Sequence, residues 1–307
     1  MAKKAKSKFM IWVEYIPFYL LYQFIRMLSL KTAYAISSVL LKILYYFDSK
    51  HRNRTINHML HAGIVTNRKD AVALAKRCFH EFSMLLVEIF KMDQCYDKAK
   101  ISVTGPEESV REFFKETAQY KSHILCVAHY GNWEVAGHAY AEKGGRNMVS
   151  MMRPFDNPKI GELILSHRGS PLHTLIPKNL GIRQGLKALN DGKIFTILID
   201  QHASRNEGVE TVFFGHPCRT HKTPALVHLK TGQPIMPEVT RRLPGKDFRF
   251  EIVLGNLINY KPSGDKDHDV QVVSQMCTTE LEKIIRDQPE QWLWFSRRWL
   301  DMDGRRP

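Results

Sequence analysis

Ile124-Leu-Cys-Val-Ala-His-Tyr-Gly-Asn-Trp-Glu-Val-Ala-Gly137 is the stretch from which the fold is read. Ile124 to Val127 is a short apolar run of the kind that makes a buried strand. Ala128 to Gly131 breaks it, and Asn132 is a good N-cap for the helical pattern that starts at Trp133. His129 therefore falls on a strand-to-helix turn, with Glu134 about one turn along and able to face back to it. An imidazole at a strand end with a carboxylate close by is half of a general-base device. The other half is a substrate that brings its own hydroxyl.

Outward from this stretch the pattern alternates strand and helix. Strands are expected at Ile124 to Val127, Asn147 to Met151, Leu175 to Pro177, Ile194 to Ile199 and Ile235 to Val239. Helices near 133–143, 157–168, 182–190 and 221–231 separate them. Such alternation predicts right-handed βαβ units, hence an α/β fold with a mainly parallel central sheet flanked by helices. Asp200 closes the run Ile194 to Ile199, which puts it on the same carboxyl edge of the sheet as His129, where open α/β sheets bind ligands. Capping a loop is the plainer reading of Asp200. Arg153 and Arg168 lie on connections that reach the same edge. Upstream, Lys69 to Met92 reads as an amphipathic helix through Ala75, Cys78, Phe79, Phe82, Leu85, Leu86 and Ile89, with Glu81 and Glu88 on its solvated side.

The first 60 residues differ in character. Lys3, Lys4, Lys6 and Lys8 precede a long apolar region, Phe9 to Phe47, with no small-residue cleavage site after it. Aromatics are dense, and the longest charge-free run, Tyr15 to Ile25, falls short of the roughly 20 residues that a clean span wants. Ile36, Val39, Leu40, Ile43, Leu44 and Phe47 share one helical face, and a basic collar follows at Lys50, Arg52 and Arg54. These features predict N-terminal hydrophobic membrane-associating helices, inserted in or lying on an anionic leaflet, with a single span and a monotopic hairpin both open. The alternative is a buried helical hairpin. The expected organisation is residues 1–60 as the membrane-associating region and 61–307 as the α/β domain.

Lys plus Arg outnumber Asp plus Glu by 45 to 31, a formal charge of +14. Such a surface suits nucleic acid, an anionic membrane, an acidic carrier protein or a phosphorylated lipid. No nucleic-acid module is recognisable, so nucleic acid is set aside. The 5 cysteines are scattered and lack a C-x-x-C, so they read as reduced residues rather than a disulfide frame or zinc site. Glu134 and His138 with His129 would be the one candidate metal set, but no H-E-x-x-H supports it, and no metal is expected. A serine hydrolase would need G-x-S-x-G, and nucleotide binding a P-loop or G-x-G-x-x-G; the chain has none of these.

His129-Tyr-Gly-Asn-Trp-Glu134 resembles the H-x4-[DE] block of the glycerolipid and lysophospholipid acyltransferases, and more narrowly the H-x-G-N-W-E form of the lipid A late acyltransferases. Met152-Arg153-Pro154 with Asn157-Pro158, Arg168-Gly169 and Ile176-Pro177-Lys178 resemble that family's next blocks, in order. Asp200-Gln201 leading to Val212-Phe213-Phe214-Gly215, and Pro289-Glu290-Gln291-Trp292 through Arg297-Arg298-Trp299, resemble its last two. Departures occur at His202, Ser296 and Gly169-Ser170-Pro171.

The resemblance implies acyl transfer from a carrier thioester to a hydroxyl of a lipid A precursor, with acyl-coenzyme A and another glycolipid or lysophospholipid as the alternative pair. In that scheme His129 is the general base and Glu134 holds the imidazole. Arg168 steadies charge or binds the acceptor, Asp200 orients it, Arg153 meets a phosphate, and backbone near Gly131 or Asn132 supplies oxyanion donors. No cofactor is called for. Acyl carrier protein, a phosphorylated glycolipid acceptor and the anionic cytoplasmic face of a bacterial inner membrane are the implied partners.

Overall fold

In the computed structural model, residues 6–116, 119–152, 155–168, 173–177, 181–299 and 302 are described, apart from the side chains of 167, 168 and 177. The chain opens with four helices: α1 (Lys8–Met27), α2 (Leu30–Phe47), α3 (Ser49–His61) and α4 (Arg68–Phe90). Ser7, Ser29, Asp48 and Asn67 cap them, each side chain accepting a backbone N–H of the first turn. After the short α5 (Met92–Cys95) come β1 (Ile101–Thr104), α6 (Glu107–Phe113), β2 (Ile124–Gly131), α7 (Trp133–Glu142), β3 (Met148–Met152) and α8 (Pro158–Arg168). There follow β4 (His173–Pro177), α9 (Gly181–Asn190), β5 (Ile194–Leu198), β6 (Gly208–Phe213), β7 (His216–His221), α10 (Thr223–Thr231), β8 (Ile235–Arg242), β9 (Phe250–Leu254) and α11 (Lys266–Asp287).

Among the described residues the main sheet has the order β1-β9-β8-β2-β5-β3-β4. Strands β8, β2, β5, β3 and β4 are parallel, as the alternating pattern predicts, while β9 runs antiparallel to β8. Alternation along the strands divides the core in two. Ile124, Cys126, Ala128 and Tyr130 face one side with Phe195, Ile197 and Ile199, against α4, α10 and α11. Leu125 and Val127 face the other side with Val135, Ala136, Ala139 and Tyr140 of α7. Four of the five cysteines are buried and all are free thiols, which agrees with their reading as reduced residues.

The N-terminal helices each bury one face and leave an apolar face exposed. α2 packs on α4 through Ala33, Tyr34 and Tyr45, so its more apolar stripe, Ile36, Val39, Leu40, Ile43, Leu44 and Phe47, is exposed. α1 likewise leaves Phe9, Trp12, Ile16, Leu20 and Phe24 exposed. Phe9 at 74% and Phe47 at 82% exposure are not core residues of this chain, which rules out a fully buried hairpin. Among the described residues, no helix is long and apolar enough to cross a membrane.

Glu81 and Glu88 correct the solvated reading. They stand seven apart and share a face of α4, and both meet the Arg242 guanidinium at the end of β8. Glu88 is fully buried. Nothing local to α4 forecasts a cation 154 positions away.

The hairpin of β6 and β7 also escaped the alternation. Its turn residues Phe214 and Gly215 have φ of +53° and +78°, a mirror-image turn that ordinarily takes Asn-Gly. Phe214 is held there by tertiary contacts: its N–H donates to Glu282 at 2.5 Å, and the Arg286 guanidinium lies 4.6 Å from its ring centroid.

Gly131, at the end of β2, combines φ +54° with no room, since a Cβ would stand 2.1 Å from the Thr240 carbonyl oxygen. Gly215 has a similar φ but open space around it. Gly215→Ala should therefore cost about 1 kcal/mol, and Gly131→Ala clearly more, because it adds a clash with a central strand. Equilibrium unfolding of the two variants checks the order.

Candidate active site

The register of β2 and β5 builds the site. Val127 is paired with Leu198, so His129 and Asp200, each two residues further on, come level at the carboxyl edge. The Asp200 carboxylate is buried and takes three N–H donors. Oδ1 lies 2.8 Å from His129 Nδ1, while Oδ2 accepts the His129 backbone N–H at 2.9 Å and the Trp292 indole N–H at 2.8 Å. An ionised carboxylate only accepts, so the Nδ1 facing it carries a proton. In the neutral ring Nε2 is then left with its lone pair. The His129 side chain keeps 22% of its surface open, enough to meet a substrate, and its ring stands edge-on to Trp133 at 5.0 Å.

Two opposed effects set the charge on this ring. Burial alone would lower the His129 pKa, but the Asp200 carboxylate, and more weakly Glu134, override it and the pKa is raised. Burial likewise pushes Asp200 up, yet the His129 charge and the donated hydrogen bonds hold it below the ordinary carboxylate value. The linkage has a definite sign. Stability from Asp200 is lost as pH falls through its lowered pKa, and that from His129 is lost as pH rises through its raised one.

The C-terminal segment closes the site from behind. Leu293 N–H donates to the His129 carbonyl at 3.0 Å, and Tyr130 forms a bridge with Trp292. Gln291 Oε1 accepts the Arg242 N–H and its Nε2 donates to the Arg242 carbonyl. Further on, Arg298 donates to the carbonyls of Gln201 and Arg219 and to Thr220 Oγ1, with its guanidinium 4.6 Å from the Phe213 ring centroid. Asp200-Gln201, Phe213-Phe214 and Arg298-Trp299, far apart in sequence, thus pack together as the support of one aspartate.

Two expectations change, and one falls outside the described residues. The imidazole-holding role expected of Glu134 belongs to Asp200, because Nδ1 is occupied by Asp200 Oδ1. Glu134 sits in the first turn of α7, where its backbone N–H donates to Asn132 Oδ1, and it acts on His129 through charge. The Asn132 side chain is fully buried and its Nδ2 donates to Glu88, so it does not face a substrate; its own N–H is taken by the Thr240 carbonyl. Arg153 and the Arg168 side chain lie outside the described residues, although α8 runs through Arg168. Among the described residues no group of three His, Cys, Asp or Glu is placed to hold a metal ion.

A family profile described as "Bacterial lipid A biosynthesis acyltransferase" matches residues 3–301, nearly the whole chain. The chain belongs to this family. It is also similar to phosphatidylinositol mannoside acyltransferase of Mycobacterium tuberculosis, in strains H37Rv and CDC 1551, each 22% identical over 181 residues. Each alignment covers 58% of the chain and 54% of the relative, so the chain spans about half the length of these curated relatives.

Trp292, which bonds the Asp200 carboxylate, was missed as a site residue. Trp292 had a signal, since it stands in the Pro289 to Trp292 block that carries the family resemblance. For the described geometry, imidazole 15N NMR of His129 should show the Nδ1–H tautomer in the neutral ring and a titration above the ordinary histidine value. An Nε2–H tautomer would contradict the Asp200 pairing.

Proposed function

We propose that the protein is an acyltransferase that moves a fatty acyl chain from an acyl carrier thioester to a hydroxyl of a lipid A precursor. The observation that carries the reading is the Nε2 of His129, left as a base by the Asp200 bond at Nδ1. Nε2 takes the proton of the acceptor hydroxyl as its oxygen attacks the thioester carbonyl. The tetrahedral intermediate collapses, the C–S bond breaks, and the imidazolium returns its proton to the leaving sulfur. Atoms and charge balance without a protein nucleophile, a metal or a cofactor. Asp200 stabilises the imidazolium throughout, as a buried aspartate does in hydrolase triads, and Glu134 adds to that charge stabilisation. Arg168 is assigned to the acceptor or to developing negative charge, and Arg153 to a phosphate.

The membrane reading rests on surface chemistry. The exposed apolar stripes of α1 and α2 carry more hydrophobic area than a soluble surface usually shows, with exposed Lys42 and Lys50 beside them. We assign these faces to the anionic cytoplasmic leaflet of a bacterial inner membrane, with acyl carrier protein, itself acidic, drawn to the same basic protein. The chain then lies on the leaflet as a monotopic protein. A second acceptor, a phosphatidylinositol mannoside-type glycolipid, is favoured by the name of the mycobacterial relatives.

Purified protein should add one acyl chain, read as a mass shift, to a lipid A precursor supplied with acylated carrier protein. His129→Ala should lower this turnover by about 10³-fold or more while leaving the fold intact. Transfer only to mannosylated phosphoinositide would replace the acceptor, and near-native turnover by His129→Ala would overturn the mechanism. In a separate test, Val39→Glu with Ile43→Glu should weaken co-sedimentation with anionic vesicles; unchanged binding would contradict the assigned face.

A further inference from the structure

A second set of buried polar groups converges on Glu88 and is joined to the His129 turn through Asn132. Glu88 Oε1 accepts from Arg242 Nε at 2.5 Å and from the Tyr34 hydroxyl at 3.0 Å. Glu88 Oε2 accepts from Arg242 Nη2 at 2.7 Å and from Asn132 Nδ2 at 3.0 Å. Arg242 Nη1 is turned to Glu81 at 2.5 Å. Tyr34, Glu88, Asn132 and Arg242 are all at most 4% exposed. The partners come from α2, α4, the cap of α7 and the end of β8, so no single element explains the cluster.

Burying a charged pair among apolar helices is costly, and a well-packed apolar pair is often as stable. The cluster's fourfold convergence on Glu88 therefore calls for a role other than holding α4 to the sheet. Asn132 supplies it. Its Nδ2 is fixed by Glu88 while its Oδ1 caps α7 at the Glu134 N–H, 3.1 Å away. Its backbone N–H is bound to Thr240, two residues before Arg242 on β8. Asn132 is separated from His129 only by Tyr130 and Gly131, and Gly131 is in a tight positive-φ turn. A shift of Glu88 would pass through Asn132 to the helix start and to the turn that carries the base.

We propose that Glu88, with Arg242, is a positioning residue: it acts through Asn132 to fix the His129 turn and the first turn of α7. Tyr34 extends that control to α2, whose other face is the exposed apolar stripe. The inference rests on the acyl-transfer reading for its kinetic consequence, but its geometric consequence stands without it. A misplacement of about 1 Å at a catalytic turn is enough to lower turnover by about 10²-fold.

The test uses the full-length protein in detergent or vesicles, comparing Glu88→Gln, Tyr34→Phe and wild type. Two readouts are taken: hydrogen exchange of the 131–136 amides, and the kcat, KM and acid limb of acyl transfer. Glu88→Gln keeps the shape but turns a donor towards Asn132 or Arg242. It should speed exchange at 131–136 by about tenfold or more, with β5 unchanged. It should lower kcat by about tenfold or more, with the KM of the acyl donor and the acid limb unmoved, since Asp200 still holds Nδ1. Tyr34→Phe, which removes one hydroxyl, should move both in the same direction by a smaller factor.

Exchange at 131–136 equal to wild type in both variants would overturn the proposal. So would a loss of protection spread evenly over the sheet, which is the signature of stability alone. If Glu88→Gln does not fold, Tyr34→Phe decides on the same two readouts. If wild type transfers no acyl group, the functional reading fails, while the exchange result still settles the positioning.

Discussion

Asp200 holds three N–H donors on two oxygens inside the protein, and most of the site's architecture can be traced to that demand. A buried carboxylate is costly unless it is fully hydrogen-bonded. Here each bond has a second use: one fixes the tautomer of His129, one holds its backbone, and the third anchors Trp292. The register of β2 against β5 brings the two side chains level, and the Trp292 bond requires the C-terminal segment to cross the sheet edge beside them. Blocks separated by dozens of residues in sequence meet in this geometry, because each supplies a part of the same support.

Gln291 and Trp292 are neighbours with opposite errands. Trp292 reaches Asp200, whereas Gln291 clasps the backbone of Arg242, whose guanidinium meets Glu88 and Glu81. The Pro289 to Trp292 block is thereby joined both to Asp200 and to the Glu88 cluster. The aromatic cluster of Phe213, Phe214, Trp292, Trp294 and Trp299 packs beneath it and excludes water from the Asp200 side. Low dielectric strengthens the His129–Asp200 attraction, and that attraction outweighs the lowering of the His129 pKa that the same burial causes.

What the sequence disclosed, and what it hid, divides along local and nonlocal lines. The five strands and four helices anticipated around Ile124 to Val239 are present with boundaries shifted by a few residues, because each rests on its own apolar period. His129 at a strand end, and Asp200 on the same edge, followed from that frame. The partner of His129 did not: Glu134 lies five residues away and looked the natural choice, while Asp200 lies 71 away and is reached only through strand register. Glu88 was misread for a related reason. Helical periodicity locates faces, but whether a face meets a neighbour or the surroundings depends on what the rest of the chain places there. Phe214 at a positive-φ turn position was hidden because its contacts, not its own propensity, hold it.

Asp200 is the imidazole's hydrogen-bond partner, and Glu134 acts on the ring through charge. In Asp200→Asn, two N–H donors face the Oδ2 position, so the amide nitrogen is driven to the other and donates to Nδ1, which moves the ring proton to Nε2. The pH dependence of kcat/KM in Asp200→Asn and Glu134→Gln tests this most directly. Wild type should show an acid limb above the ordinary histidine value. Asp200→Asn should lower the plateau by about 10²-fold or more and move the limb to lower pH, while Glu134→Gln moves it much less. A limb that stays fixed in Asp200→Asn and falls in Glu134→Gln would contradict the account.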